Sequence, residues 1–339
     1  IAFGRDDLHV SLVVEEESGA TFTCDYGLDR AGGRRYRIDG EPVRRRADLI
    51  GRLSTVFFNP DSIRLVQGSP ERRRHFVDRG MAEIDAAHLT HLAAFQRALK
   101  QKTGLLRDIK RGLAERRQAR AELTAWNEEM ARHAAPVCRG RAEYATLLTP
   151  CADEAHRALA ETGETLVFRY RPRLESVARL VSPAGGESGE IPAGNSRLEQ
   201  DIFQEFDYIV GSEIQRGRPA TGPQLDDFEI RLGGPEGLDL RTFGSQGETR
   251  SAAIALILAR SDALHRSLRV RPVLFLDDIF SELDRDRARR LQEMSASLHQ
   301  VFIATARPGD IADWRPAGLR SWRVEAGRFT EITTGPGAG

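Results

Sequence analysis

Apolar residues divide the chain into three stretches by the period at which they recur. Residues 8–58 carry alternating or β-rich runs separated by glycine-containing turns, which predicts a β-meander. From about Glu71 to Thr162 apolar residues recur every three or four positions on a charged background, a pattern typical of amphipathic helices. From Gly222 onward strands and helices alternate, which favours a mostly parallel sheet covered by helices.

The middle stretch predicts a helical arm inserted into a sheet domain. Pro136 and Pro150 should kink or end helices in it, because proline lacks the N–H that a helix interior needs. One strand, LVFRYRP, and a further helix over about 197–216 complete the arm. The expected domain limits are 1–75 for the β-rich part, 76–216 for the arm and 217–339 for the C-terminal lobe.

The C-terminal stretch contains one strand that is predicted to be buried on both faces. Val273–Leu276 is an uninterrupted apolar run, as expected of such a strand. Helices are predicted on either side of it, over about 246–265 and 284–298, together with the strands FEIRL and VFIATA. The segment SWRVEAGRFTEI predicts a closing hairpin. The expected fold class is therefore α/β.

Charges balance over the whole chain but not locally. The 339 residues contain 50 Lys and Arg against 50 Asp and Glu, so a polyanion would have to meet a local patch. Residues 97–120 carry nine cations against two acids, whereas residues 201–250 carry ten acids against five arginines. No apolar run approaches the ~20 residues that span a bilayer. Three cysteines without CxxC spacing fit reduced thiols, so we expect a cytoplasmic protein with no membrane partner.

Two adjacent aspartates follow the apolar run in VLFLDDIFSELD, residues 273–284. Asp277 would lie at the carboxyl end of its strand, where open α/β sheets place their ligands. A carboxylate there suits Mg²⁺ beside the phosphates of a nucleotide, and Asp278 could orient an attacking water. A strand that simply ends in an acidic turn would have the same sequence.

A second candidate site lies 32 residues earlier, in TFGSQGETRSAAIAL. Ser245 and Glu248 form an S-x-x-E capping box, and Gly247 allows close approach to the backbone. Free N–H groups at a helix start can bind phosphate, although a well-capped structural helix needs the same residues. The order of GSQG, LDD and then SELD is more specific than any one of these motifs.

That order resembles the ABC-type ATPases, and the longer motifs resemble the RecF family of bacterial DNA replication and repair proteins. FGSQGETRSAAIAL and FLDDIFSELD are near-verbatim RecF sequences. The segments that match in the same order are FFNPDSIRLVQGSPERRRHFVD (57–78), ALKQKTGLL (98–106) and EIQRGRPATGPQLDDFEI (213–230). The resemblance implies an ABC-type ATPase lobe, with an N-terminal β-meander and a C-terminal mostly parallel sheet with helices, and an inserted helical arm domain.

The resemblance also assigns a role to each residue of the two motifs. Ser245, Gln246 and Gly247 would reach the γ-phosphate of an ATP held by the other subunit of an ATP-dependent homodimer. Asp277 would position Mg²⁺, and Asp278 would polarise water. This is the arrangement of a weak, switch-like ATPase.

Ser281 and Asp284 form the D-loop, which would lie across the same dimer interface. The family partners implied are gapped or single-strand/duplex DNA, RecO and RecR, and the implied task is to load RecA in DNA repair and the SOS response. The chain departs from the family in reading Gly222-Pro223-Gln224-Leu225-Asp226-Asp227 where GPHRDD is common. Ala304 also stands where a threonine is common.

The phosphate cradle of the family has no counterpart in the sequence. RecF proteins begin with a strand and a GxxxxGK(S/T) loop, whereas the lysines here, Lys100, Lys102 and Lys110, all lie in the arm and none follows a glycine. By alignment of motifs we expect the cradle upstream of Ile1. Three lost charge-assisted hydrogen bonds would cost about 4.5 kcal/mol, or about 1,000-fold in affinity. We therefore expect that the chain as written neither binds ATP usefully nor hydrolyses it.

Clustered arginines are the candidate DNA contacts, because arginine binds phosphates without reading sequence. The candidates are Arg44, Arg45, Arg46, Arg72, Arg73, Arg74, Arg116 and Arg117. Solvated helix faces in an arginine-rich protein would have the same sequence, and it is the resemblance to RecF that favours DNA.

There are two rival functions of other classes. An SMC-type chromosome-organising protein would need an arm several times longer, and this one is too short. A degenerate, ATP-independent DNA-binding or scaffold protein of the SMC/ABC head type would show DNA binding that is insensitive to ATP.

Overall fold

The computed structural model describes residues 6–16, 18–44, 49, 53–160, 163–181, 195–296, 300–307, 309 and 318–332, apart from the side chains of residues 116, 118, 281 and 282. Within these residues the strands are β1 (Asp7–Glu15), β2 (Thr21–Asp29), β3 (Arg34–Ile38), β4 (Glu41–Pro42), β5 (Thr55–Phe58), β6 (Leu166–Arg171), β7 (Asp227–Leu232), β8 (Leu238–Asp239), β9 (Val273–Asp277), β10 (Val301–Ala304), β11 (Ser321–Glu325) and β12 (Arg328–Ile332). The helices are α1 (Arg64–Gln67), α2 (Pro70–Ile84), α3 (Ala87–Lys110), α4 (Arg116–Ala160), α5 (Glu175–Val181), α6 (Ser196–Arg216), α7 (Leu240–Phe243), α8 (Gln246–Leu268) and α9 (Arg285–Ala296).

The predicted N-terminal meander is confirmed for β1 to β4, which pair antiparallel in chain order. Alternation in β1 and its register with β2 place Leu12 and Cys24 on one face and Val13 and Thr23 on the other. The expectation that the run LSTVFF belongs to this meander is wrong. That run forms β5, which pairs parallel with β9, Thr55 opposite Val273.

A parallel sheet with the order β10-β9-β5 carries the candidate site. Leu274, Leu276 and Phe58 are buried in a large hydrophobic cluster that includes most of α8, so this helix covers one face of the sheet. The expected burial of β9 on both faces is wrong within the described residues. Phe275 lies on the other face, stacked 5.0 Å from the ring of Phe302, whose side chain is 45% exposed.

The strand FEIRL forms β7, but the prediction that it joins the parallel sheet is wrong. It pairs antiparallel with β6 and β8 in a separate sheet. The aromatic rings of Phe168 and Phe228 stack across β6 and β7 at 5.2 Å, which favours this cross-strand pairing. The predicted C-terminal hairpin is confirmed by the antiparallel pairing of β11 with β12.

Helix α4 runs through both Pro136 and Pro150, so neither proline ends a helix. Its inner face, including Leu148, is buried against α8 and β6, and this burial offsets the backbone hydrogen bonds that the prolines cannot make. The large hydrophobic cluster takes residues from all three predicted domains, and the domain limits at 75 and 216 stay a prediction. No helix in the described part of the chain is long and apolar enough to cross a bilayer.

Candidate nucleotide site

The two aspartates of the LDD motif lie where the sequence places them, at the carboxyl end of the central strand. Asp277 is the last residue of β9 and faces Ala304 in the parallel register with β10. It is exposed, and its carboxylate has no hydrogen bond or ion pair to any described residue. The backbone then turns sharply, because Asp278 adopts a left-handed conformation (φ 48°) and donates its N–H to the Ala304 carbonyl at 2.9 Å. The turn gives the adjacent carboxylates different environments.

The predicted capping box at the start of α8 is confirmed. Ser245 Oγ accepts the N–H of Glu248 at 3.3 Å, and the Glu248 carboxylate accepts the N–H of Ser245 at 2.8 Å. Thr249 stabilises the same helix start with a further hydrogen bond, because its hydroxyl donates to the Ser245 carbonyl at 2.7 Å. Ser245 and Gln246 remain exposed. The helix start is therefore rigid and open to solvent.

Asp284 caps α9, the helix that follows the D-loop. Its carboxylate accepts the backbone N–H of Arg287 at 2.9 Å and pairs with the Arg287 guanidinium at 2.9 Å. The backbone N–H of Arg287, followed by its charge, lowers the pKa of Asp284 below its usual value. The side chain of Ser281 lies outside the described residues.

Arg287 also joins the D-loop to the start of α8. Its Nη1 atom lies 3.2 Å from the position that a Cβ on Gly247 would occupy. The glycine therefore makes room for a guanidinium that is held in turn by Asp284. The GSQG motif, which is the signature motif of the ABC-type ATPases, therefore meets the D-loop through Arg287. The sequence analysis did not single out this residue. No hydrogen bond or ion pair joins Asp277 to Ser245 in the described part of the chain.

Adjacent carboxylates suit Mg²⁺ chemically, but the residues that the structure describes offer only part of a metal site. Among the described residues there is no group of three or more His, Cys, Asp or Glu side chains that could hold a metal ion. An ion at Asp277 and Asp278 would need oxygens from water and phosphate to complete its shell, as Mg²⁺ at nucleotides commonly does. The residues present fit ATP and Mg²⁺ as one side of a site.

Bacterial proteins are similar in sequence to this chain over nearly its whole length. It is 33% identical to the DNA replication and repair protein RecF of Rhodococcus erythropolis over 332 residues, 93% of this chain and 78% of that protein. The chain belongs to the RecF family. It is also 32% identical to RecF of Roseiflexus castenholzii, covering 96% of this chain and 77% of that one. Family membership places its function in DNA replication and repair.

Solved structures show the same fold. The recombination mediator protein RecF with ATP, of the RecFOR pathway, has a TM-score of 0.80 at 20% identity, covering 98% of this chain and 82% of that chain. An SMC head bound to the winged-helix domain of ScpA has a TM-score of 0.50 at 12% identity, over 97% and 74% of the two chains. The α/β fold is thus that of the RecF and SMC-head ATPases. No protein-family model matches the chain.

The segment in which the chain departs from the GPHRDD sequence common in the family is held by a buried ionic network. Arg141, on α4, donates to both carboxylate oxygens of Asp78 at 2.8 and 2.9 Å. Its remaining nitrogen donates to Asp226 at 2.9 Å and to the Pro223 carbonyl at 2.6 Å, and Tyr170 donates to the same Asp226 oxygen. The network ties α2, α4 and β6 to the residues that precede β7. The substituted Leu225 lies outside it and is 47% exposed.

One of the arginines predicted to contact DNA is buried, and a second is half-buried and already hydrogen-bonded within the protein. Arg73 is 1% exposed and holds Asp227 with two hydrogen bonds, at 2.7 and 3.1 Å, so its prediction as a DNA contact is wrong. Arg74 is half-buried and donates to the Asp226 carbonyl at 2.7 Å. Arg72 is exposed but paired with Asp61 at 2.6 Å.

The other candidates are left as predictions. Arg44 and Arg117 are exposed. Arg45 and Arg46 lie outside the described residues, as does the side chain of Arg116.

Proposed function

We propose that this chain supplies the GSQG (signature) and LDD (Walker B) side of an ATP site that closes between two subunits. The observation that carries the proposal is the contact of Arg287 with both Gly247 and Asp284. It holds the two motifs that would face a partner subunit on one surface. Closure of that surface on ATP would make dimerisation depend on the nucleotide.

The exposed groups set the role of each residue. Ser245, Gln246 and the Gly247 N–H offer donors at the positive end of α8, where a phosphate is stabilised. Asp277 would share Mg²⁺ with phosphate and water oxygens, and Asp278 would orient a water. ATP and Mg²⁺, when bound, supply the phosphoanhydride and the charge that offsets its phosphates.

None of the three lysines in the sequence is placed to hold phosphates. Lys102 is fully buried with Glu213, and Lys110 donates to the Arg216 carbonyl at 3.0 Å. Neither lysine, nor Lys100 on the same helix, follows the glycine-rich pattern that holds phosphates. The chain alone should therefore bind MgATP at least ~1,000-fold more weakly than a RecF protein that has the GxxxxGK(S/T) loop, or P-loop.

DNA is the proposed macromolecular partner, at gaps or single-strand/duplex junctions. RecO and RecR are the proposed protein partners, and the proposed outcome is RecA loading. This rests on membership of the family, together with a solved relative that is described as a recombination mediator of the RecFOR pathway. The rival is an ATP-independent DNA-binding scaffold, which the absent P-loop motif favours.

Dimerisation tests the proposal in a chimera that joins the strand, P-loop and helix of a RecF relative to Ile1. Light scattering should show dimers only with MgATP. Ser245→Arg should leave ATP binding intact and abolish the dimer. Ser267→Arg, at the exposed far end of the same helix, is the control and should dimerise normally. Dimers that persist in the Ser245 variant, or that form without ATP, would refute the signature role.

A further inference from the structure

Four exposed cations form one row along α3. Arg97, Lys100, Arg107 and the C-capping Arg111 are separated by three, seven and four residues. These steps return to nearly the same side of a helix with 3.6 residues per turn. The helical turn continues through Arg111, whose N–H bonds to the Arg107 carbonyl at 3.0 Å. We call these four residues the α3 cation row.

The four side chains of the α3 cation row have no hydrogen-bond or ion-pair partner among the residues that the structure describes, unlike the other two lysines of α3. None of the four side chains makes a hydrogen bond or ion pair to another described residue. The other two lysines of α3 are engaged, Lys102 with Glu213 at 2.7 Å and Lys110 with the Arg216 carbonyl. The helix contains one acid, Asp108, which lies on the flank of the row.

The helix surface that carries the row exposes no large apolar side chain, and the exposed Leu113 follows it only after the helix has ended. Gly104 lies between Lys100 and Arg107 on the same side, and a Cβ built on it would meet nothing within 4 Å. No residue of α3 is among the exposed large hydrophobic side chains of the described chain. A protein interface of ordinary size has an apolar, well-packed centre, and this surface offers none.

We propose that the α3 cation row binds the phosphate backbone of nucleic acid. Its 14-residue length corresponds to about 21 Å, or about six nucleotide steps of one strand in a duplex. A line of like charges on a helix that exposes no large apolar side chain suits a polyanion and reads no base sequence. The inference rests on the proposed DNA-binding function and assigns it to residues other than Arg72 to Arg74.

The salt dependence of DNA binding measures how many phosphates the row neutralises. The test variant replaces Arg97, Lys100, Arg107 and Arg111 with Gln, which preserves helix propensity. Fluorescence anisotropy with a labelled single-stranded oligonucleotide should show the slope of log K against log salt shrinking by about 2.8. If the two proteins bind equally at about 1 M salt, the same slope change lowers the affinity at about 0.1 M salt by roughly 600-fold. A charge-preserving variant with Lys at the three arginine positions should keep the wild-type slope.

A matched control removes the same charge from arginines that are exposed but ion-paired. Its residues are Arg132, Arg179, Arg289 and Arg323, each replaced by Gln. The control should bind DNA with a nearly unchanged slope, and thermal melting should show both variants folded. Equal losses in the two variants would mean a bulk charge effect and would overturn the inference.

The remaining outcomes separate the row from the function on which it rests. Wild-type protein that binds no DNA at low salt would refute the DNA-binding function, and the inference with it. Wild-type protein that binds DNA, with a row variant of unchanged slope, would overturn the inference alone. Poly-glutamate of equal charge should bind far more weakly than DNA. If it binds as tightly and is lost with the row, the surface fits an acidic protein and the inference fails.

Discussion

The guanidinium of Arg287 lies 3.2 Å from the position of a Cβ built on Gly247, so a side chain there would make a tight contact that the guanidinium must yield to. Replacing a helical glycine with alanine normally stabilises by roughly 0.5–1 kcal/mol. We predict that Gly247→Ala shows this gain only when Arg287 is also replaced by alanine. A double-mutant cycle in urea should give a coupling free energy of about 0.5–3 kcal/mol.

Gly211 provides the control for that cycle, because it lies in α6 and a Cβ there would meet nothing within 4 Å. Gly211→Ala should be uncoupled from Arg287. A coupling free energy of zero between Gly247→Ala and the replacement of Arg287 would show that the two motifs are independent.

The buried network around Arg141 should dominate the stability of the arm's attachment. Arg141→Met leaves the carboxylates of Asp78 and Asp226 buried without their cation. Removing one partner of such a pair costs about 3–5 kcal/mol. Arg132→Met is the matched control, since its ion pair with Glu129 is exposed and should cost below about 1 kcal/mol. Urea unfolding followed by circular dichroism compares the two, and equal stabilities would contradict the network's role.

Acid should weaken the protein through Asp78, one carboxylate of the same network. Burial alone would raise the pKa of Asp78, but the charge and hydrogen bonds of Arg141, with a contribution from His88, lower it from 3.8 to about 2. A lowered carboxyl pKa stabilises the fold above about pH 4 and loses that effect as pH falls toward 2. The shift corresponds to about 2 kcal/mol.

The measurement is the difference in unfolding free energy between wild type and Asp78→Asn. It should shrink by about 2 kcal/mol as pH falls from 7 toward 2. The exposed Asp108→Asn serves as the control and should stay level with wild type. A difference at Asp78 that does not change with pH would show that its carboxylate is not stabilised by Arg141.

Arg73 should affect folding and not DNA. It pairs with Asp227 and donates to the carbonyls of Val66 and Gly68 at 3.1 and 2.8 Å. Arg73→Gln should cost about 3–5 kcal/mol, while the exposed Arg72→Gln should cost below about 1 kcal/mol. The DNA affinity of the folded fraction should keep its salt slope in the Arg73 variant. A smaller slope would restore Arg73 as a phosphate contact.

The site residues could be predicted because their structure depends on neighbours in the sequence. The pairing of strands that are distant in the sequence could not be predicted. The Ser245–Glu248 capping box and the position of Asp277 depend on residues within one turn or one strand, so the sequence contains them directly. The parallel pairing of Thr55 with Val273 joins residues that are far apart in the sequence. An apolar run predicts a strand, but it does not indicate which other strand it pairs with.

The errors among the arginines have the same origin. Arg73 resembles its neighbours in sequence, but its partner, Asp227, is 154 residues away. Arg287 was missed because it lies outside each named motif and becomes informative only when α8 and α9 are seen together. The α3 cation row was visible as local charge, but the absence of partners within the described residues needed coordinates.

The affinity for MgATP tests the central claim most directly. Isothermal titration calorimetry should compare the 339-residue chain with the chimera that carries a relative's P-loop segment before Ile1. The account predicts no measurable binding by the chain alone, and binding at least ~1,000-fold tighter by the chimera. Micromolar MgATP affinity in the chain alone would contradict it, because these residues would then hold the phosphates without a P-loop.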